Sequence, residues 1–561
     1  MPLHKTNVEK GGAKRFQHID TSSLAFETGF ASFALEEFPK YQLRAEPMPS
    51  AVAEGIITQE LELDGNPALN LASFVTTRFD ETTHKLCDRM LPVNWIDFDE
   101  YPQTVEIHNR CVNIIANLFH APLEEGQQAV GTSTVGSSEA IMLAVLAMKW
   151  RWRAARKAAG KDYARPNMVM GSEVQVCWEK ATAYFDVEPR YVPLHDDVYV
   201  MNPEKAIELC DENTIGICGI LGTTYTGQFE DIATLDALVT QMNEQKGFDI
   251  GIHVDAASGG FIAPFCYPNL RWDFRLKNVR SINVSGHKYG LAPCGIGWLI
   301  FRSAAYLPEE LVFHVNYLGA DQASFTLNFS RGSAQIVASY YLLLRLGRRG
   351  YQNLMHTLKE LASYFATRIT EDGRFRLLSD NESLPLVAFA IPDDQRTKLG
   401  FDEFAIAGEL RKRGWIVPAY TLAPNLQHQK LLRVVVRVGF TRDRADMLVQ
   451  DIRAAYDHLV AMAGLLNLFG QGLAVDDTAS TKKPESEHTA TALGKMLHGN
   501  KSLQEHAEEL RRTHDLPGAR HLIHMQNWGT IHAKEGTKDA EPRRSPVDRH
   551  QRHKKRSGAV C

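Results

Sequence analysis

The chain has 561 residues, 44% hydrophobic and 23% charged, with a formal net charge of -5. That length corresponds to roughly two to four domains, and the composition suits a globular protein able to bury a large core. The small negative charge argues against a nucleic-acid role for the chain as a whole. Eight cysteines, at positions 87, 111, 177, 210, 218, 266, 294 and 561, are scattered without a CxxC pair, and no histidine cluster has metal-ligand spacing. Reduced thiols in a reducing compartment are therefore expected, with no metal site. No apolar stretch reaches the roughly 18 residues of a membrane span. Residues 1–15 are polar and lack the apolar core of a secretory signal. Cys561 is the last residue, not the fourth from the end, so no prenylation box is expected. A cytoplasmic location is the expectation.

Residues 1–60 read as an N-terminal arm, polar and irregular over about the first 50 residues. Between Leu61 and Asp97, aromatics mix with small polar residues, which suggests a segment (61–100) that wraps a core and contributes to a pocket. The run Gly131-Thr-Ser-Thr-Val-Gly-Ser-Ser-Glu-Ala140 then leads into a long helical pattern from Ile141 to about Lys161. Glycines and hydroxyls at a helix start make an anion site, because free N–H groups and the helix dipole both favour phosphate; an ordinary capped helix is the competing reading. No Gly-Lys-Ser/Thr follows, so it is not a Walker loop.

Short apolar runs next alternate with helical stretches. The runs are Asn167–Gly171, Arg190–Leu194, Thr214–Thr224, Asp249–Ala257, Arg280–Val284 and Gly297–Phe301; the helices include Trp178–Phe185, Asn202–Asp211 and Ile232–Gln245. Nearly continuous apolar strands alternating with helices predict an α/β domain over 61–335, with a mostly parallel sheet covered on both faces. Ligands of such sheets sit at the carboxyl ends of the strands, where Thr224, Asp255, Ala257, His287 and Lys288 fall. A long helix from Ala334 through Arg348 and on to Thr370 leads to a smaller α+β unit, the two occupying 336–470. Residues 471–561 turn polar and basic, ending in His550-Gln-Arg-His-Lys-Lys-Arg556, and read as a disordered tail.

Several of these residues make sense together. Lys288, on a tight turn in Ser285-Gly-His-Lys288, can form an imine with an aldehyde. Asp255, 33 residues earlier (288 against 255) and also at a strand end, can keep a pyridine nitrogen protonated and so strengthen the ring as an electron sink. A Gly/Ser helix start can hold a phosphate. Those are the requirements of pyridoxal 5′-phosphate.

The runs Gly131–Ala140, His253-Val-Asp-Ala-Ala-Ser-Gly-Gly-Phe261 and Ser285–Lys288, with Asn94-Trp-Ile-Asp97 and Asn328-Phe-Ser330, resemble the glutamate decarboxylase group of the pyridoxal-dependent decarboxylases over about residues 25–465. The resemblance implies the fold type I architecture, with a seven-stranded, mostly parallel sheet in the large domain. It also implies conversion of L-glutamate to 4-aminobutanoate (GABA) and carbon dioxide. Lys288 would carry the cofactor and Asp255 would pair with its ring nitrogen. Thr224 would lie near the ring hydroxyl, with Gln175 over one ring face and Ala257 against the other. Ser137, Ser138, Ser285 and His287 would hold the phosphate. The resemblance assigns the substrate to Ser73, Phe74 (through its backbone), Asn94, Asp97 and Arg437. Tyr317 would be a proton donor on a catalytic loop. Ser73 stands where bacterial relatives typically carry threonine, and Asn316 where they often carry aspartate.

Alternatives remain a related decarboxylase acting on aspartate, cysteine sulfinate or an aromatic amino acid, an aminotransferase, or a catalytically silent scaffold. At least a homodimer is expected. The basic tail is a candidate for an acidic partner, calmodulin among them, or an anionic membrane surface, although Ala519–Trp528 is only weakly amphipathic.

Overall fold

The apolar runs form strands, and most are buried along their whole length. The computed structural model describes residues 40–315, 322–380 and 382–472. In chain order, helices α1 (Ser50–Leu61), α2 (Glu81–Met90) and α3 (Pro102–Leu118) precede strand β1 (Val130–Thr134) and helix α4 (Ser137–Ala158). There follow β2 (Asn167–Gly171), α5 (Val176–Tyr184), β3 (Glu188–Val192), α6 (Pro203–Glu208), β4 (Thr214–Ile220), α7 (Ile232–Lys246), β5 (Ile252–Asp255), α8 (Ala263–Cys266), β6 (Val279–Ser285) and β7 (Gly297–Phe301).

These strands make one seven-stranded sheet in the order β1-β7-β6-β5-β4-β2-β3. β3, β2, β4, β5 and β6 run parallel, while β7 is antiparallel to both β6 and β1. The mostly parallel fold type I sheet is thus present. Alternation along each strand sends side chains to opposite faces. Met168 and Met170 of β2 pack with Ile141, Val145 and Met148 of α4. Val169, between them, joins Ile217, Val254 and Ile282 and the α7 residues Leu235 and Val239 on the other face. Two covered faces are the reason these strands read as continuous apolar runs.

Three features differ from the sequence reading. Residues 50–61, 81–90 and 102–118 are helical. In α2 the cap is explicit, since Asp80 Oδ1 accepts from Thr83 N at 2.8 Å. β1 is a strand where the Thr-Ser-Thr run carried no apolar signal; its partner β7 supplies the hydrophobic residues. The long helix α9 (Ala334–Thr370) is kinked at Gly347, which has φ 55°.

Before this helix, β8 (Phe313–Val315) and β9 (Gln322–Ser324) form an antiparallel pair. Beyond it, β10 (Arg376–Leu377), β11 (Leu386–Ala390), β12 (Ala419–Thr421) and β13 (Lys430–Val435) make an antiparallel sheet in the order β10-β11-β13-β12. It carries the helices Glu403–Lys412 and Arg442–Gly472, giving the expected α+β unit. Among the described residues, no helix is long and apolar enough to cross a membrane.

Candidate active site

The site is assembled where β7 meets both of its neighbours. Gly297, the first residue of β7, lies opposite Ser285 of β6 and also opposite Thr134 of β1. A Cβ there would come within 2.6 Å of the Gly136 carbonyl carbon and 2.9 Å of Ser137 N, so only glycine lets the β1–α4 turn close over the strand. The turn then brings Ser137 Oγ to 2.5 Å from Ser285 Oγ. No side chain caps the first turn of α4, which leaves its N–H groups free for an anion. Glu139, in that same turn, is turned aside: its carboxylate accepts from Val135 N at 2.7 Å and Leu327 N at 3.0 Å.

On the β6–β7 connection, His287 Nδ1 accepts from Ile296 N at 3.2 Å. Burial holds the imidazole's pKa down at about 4, and the neighbouring Lys288 charge adds to this. The ring is therefore neutral at neutral pH, with Nε2 carrying the proton and able to donate. Lys288 is partly accessible because it lines the cavity, but its amine is enclosed by protein. That desolvation lowers its pKa, with Asp255 opposing the shift. Its Nζ donates to Ser258 Oγ at 3.1 Å and stands 5.1 Å from the Phe74 ring centre.

Asp255 ends β5 with three donors on its carboxylate. Trp178 Nε1 donates to Oδ2 at 2.9 Å, and Asn283 Nδ2 and Ala257 N donate to Oδ1 at 2.9 and 3.1 Å. Asn283 is itself held by His253, whose Nε2 lies 2.7 Å from Asn283 Oδ1 and whose Nδ1 lies 2.7 Å from Ser281 Oγ. Burial lowers the His253 pKa, so a neutral relay aims one carboxylate.

A cavity of about 440 Å³ joins these groups. Ser137, Ser138, Ser285, His287 and Lys288 line it, together with Asp255, Ala257, Gln175, Thr224, Ser73 and Phe74. Gln175 also caps α5, its Oε1 accepting from Cys177 N at 2.7 Å. An anion cradle, a desolvated amine and a carboxylate aimed by three donors fit the phosphate, aldehyde and ring nitrogen of pyridoxal 5′-phosphate.

Asn94, Asp97 and Arg437 are not among the residues lining this cavity. Asn94 Nδ2 donates to Asp97 Oδ1 at 3.3 Å, and its Oδ1 accepts from Arg331 N at 3.0 Å. The Arg437 guanidinium binds the carbonyls of Val75 and Asn70 and, at 3.1 Å, Thr77 Oγ1. Tyr317 lies outside the described residues.

Several residues at the site had no role assigned from sequence. Trp178 and Asn283 hold Asp255; for Asn283 the pairing of β5 with β6 places it opposite Asp255, which needs the register. Arg433 donates to Thr224 O at 2.6 Å and Ala72 O at 2.5 Å, and its Cζ sits 4.8 Å from the Phe74 ring centre. Thr76 donates to Lys288 O at 2.7 Å. A charged residue written into an apolar strand, as Arg433 is, was the available signal.

Known proteins resemble this chain over most of its length. The family model described as pyridoxal-dependent decarboxylase conserved domain matches residues 40–392. Glutamate decarboxylase of Petunia hybrida is 51% identical over 450 residues, covering 80% of this chain and 89% of that protein. Glutamate decarboxylase of Aliivibrio fischeri is 44% identical over 454 residues, covering 81% and 94%. A solved Lactobacillus brevis glutamate decarboxylase superimposes with a TM-score of 0.73 at 43% identity, over 76% of this chain and 96% of that one. With a lysine, an aspartate and an anion cradle in one cavity, and relatives this similar over most of their length, the chain belongs to the pyridoxal-dependent decarboxylase family.

Proposed function

We propose that this chain removes the α-carboxylate of L-glutamate, releasing carbon dioxide and 4-aminobutanoate, with pyridoxal 5′-phosphate held in the cavity around Lys288. The observation that carries the reading is the convergence of Lys288, the Asp255 carboxylate and the Ser137–Ser285 cradle on one cavity. The choice of glutamate is supported by curated glutamate decarboxylases at about half identity over most of their length.

When bound, the cofactor supplies an aldehyde for amine exchange and a protonated ring that accepts the electrons left by carbon dioxide. Ser137, Ser138, Ser285 and His287 would hold its phosphate, and Thr224 would contact the ring on its hydroxyl side. Gln175 and Ala257 would hold the ring between them. Asp255 keeps the ring nitrogen protonated, and Trp178 and Asn283 keep Asp255 in place. Lys288 provides the amine; its lowered pKa raises the share of the neutral, nucleophilic form. Ser73 and the Phe74 backbone meet the distal carboxylate of glutamate. Arg437 takes the α-carboxylate after exchanging its present carbonyl partners, a task suited to a planar fork, and Tyr317 returns a proton to Cα. Asn94 and Asp97 stand outside their own chain's cavity; in a homodimer whose sites draw on both copies they serve the second copy's substrate.

A homodimer or larger homo-oligomer would put Asn94 and Asp97, which lie outside their own chain's cavity, within reach of a second copy's site. The free cysteines of the described region suit a cytoplasmic setting. The separate seven-stranded and four-stranded sheets support the division into a large domain (61–335) and a small one (336–470) between an arm and a tail. An acidic partner for that tail, such as calmodulin, would be revealed by truncation near residue 475 and assay with and without calcium-calmodulin.

The test is purification, a visible spectrum, and carbon dioxide release across a panel of amino acids. Release from glutamate above aspartate, cysteine sulfinate and aromatic amino acids is expected. Preference for another member of the panel would overturn the substrate, and a colourless protein that takes up no cofactor would overturn the whole reading.

A further inference from the structure

Two carboxyl groups beside the cofactor cavity have no place in the reaction described above. Glu173 and Glu230 are 1% and 5% exposed, and Glu173 lines the cavity. Glu173 lies on the loop between β2 and α5, two residues before Gln175. Glu230 lies on the segment returning from β4: its Oε2 accepts from Ile220 N at 2.7 Å, and its backbone N donates to Ile220 O at 3.0 Å. Both Glu173 oxygens and Glu230 Oε1 are buried without a donor in good hydrogen-bond geometry, and the two side chains face each other. The packing is built around this group, since a Cβ on Gly171 would fall 2.1 Å from Glu173 Oε2.

The surroundings supply no cation. Among the described groups acting on either carboxyl there is no lysine, arginine or histidine; the N–H dipoles of Met201 and Ile220 contribute instead. The titratable neighbours are the Tyr225 phenol and the Cys218 thiol, with Cys177 and Asp255 acting on Cys218 as well. Two adjacent carboxylates with no counter-charge cannot both stay ionised out of water. One proton between them removes a charge and provides the missing donor.

We propose that Glu173 and Glu230 hold one proton in common, and that the resulting carboxyl–carboxylate hydrogen bond ties the loop bearing Gln175 to the end of β4 that leads to Thr224. The pair is a positioning device for two walls of the cavity, and the inference rests on reading that cavity as the pyridoxal phosphate site. Burial raises the proton affinity of both groups, Glu173 to about 7. A folded state that holds a proton more tightly than the unfolded chain loses stability as pH rises above the ordinary carboxylate range, until the folded pair itself ionises. Alkaline pH therefore loosens the tie and weakens cofactor retention.

Glu173→Gln keeps the shape and a donor but cannot ionise, and Glu230→Gln serves equally if the first fails to fold. The melting temperature of the apoprotein and the dissociation constant for pyridoxal 5′-phosphate are measured from about pH 5.5 to about pH 8.5. The melting temperature of the Gln variant relative to wild type should climb with pH. Wild-type cofactor affinity should fall over the range by at least about threefold more than the variant's. Parallel profiles for wild type and both variants would overturn the shared proton. A changed melting profile with parallel cofactor profiles would overturn the positioning role. A chain that binds no pyridoxal phosphate would overturn the reading of the cavity, and the apoprotein melting profiles would still decide whether a proton is shared.

Discussion

Ser137 and Ser285 are 148 residues apart in the chain, and their hydroxyl oxygens are 2.5 Å apart in the structure. One hydroxyl opens α4 and the other closes β6. They meet because β7 inserts between β6 and β1 with a glycine opposite both strand ends. The pair marks the phosphate end of the cavity. Replacing both with alanine should raise the dissociation constant for pyridoxal 5′-phosphate by about 100-fold or more, since each hydrogen bond to a charged group contributes about 1.5–3 kcal/mol. Equilibrium dialysis checks this, and unchanged affinity would move the phosphate elsewhere.

Lys288→Ala should leave a folded protein that lacks the visible imine absorbance and turns over no glutamate. A spectrum and a carbon dioxide assay on one preparation are enough. Retained colour with retained turnover would remove Lys288 from its role.

Trp178 and Asn283 aim Asp255 at the cavity. Asp255→Asn removes the charge that holds the ring nitrogen protonated and should cut kcat about 100-fold or more, the scale typical of a lost electrostatic partner. Trp178→Phe keeps the charge and loses one donor, so it should give a smaller fall with weaker cofactor binding. Equal kcat for Asp255→Asn and wild type would make Asp255 structural.

Arg433 binds the carbonyls of Thr224 and Ala72 and covers Phe74. Arg433→Met should release the segment around residues 72–76 from the β4 end. Loss of two charge-assisted bonds at about 1.5–3 kcal/mol each should lower the melting temperature by several degrees and raise KM for glutamate. An unchanged melting temperature would show that the segment is held by its other contacts.

His287 is kept neutral, with its pKa near 4, chiefly by burial. Its proton affinity in the folded state lies below that of a free imidazole. Acidifying the apoprotein from about pH 6.5 towards about pH 4 should therefore cost up to about 3 kcal/mol through this group. The cost is absent above the ordinary histidine range. In His287→Gln the acid limb of a melting-temperature profile should be shallower than in wild type. A steeper limb would mean that the protonated ring is favoured in the fold.

Much of the site was legible because its chemistry is local. Ser285-Gly-His-Lys288 places phosphate and aldehyde ligands on one turn, and Asp255 ends an apolar run at a strand's carboxyl end. The missed residues act across the fold. Asn283 reads as one polar residue in a buried strand until β5 pairs with β6, and Arg433 reads as an edge charge until the small sheet meets the wrapping segment. Helix α2 was missed because residues 61–97 mix aromatic and polar residues without a clear period, although it carries a regular Asp80 cap.

From sequence alone the chain determined its strand-helix alternation, its two-faced burial and the residue types a pyridoxal enzyme needs, since periodicity and side-chain chemistry are properties of short segments. Tertiary structure alone decided which of them share a cavity. It gathered ten of the expected residues around Lys288, set Asn94, Asp97 and Arg437 outside that cavity in the single chain, and brought Glu173 against Glu230. Strand order, register and the close approach allowed by Gly297 set those distances, and they arise only when segments far apart in the chain bury their faces together.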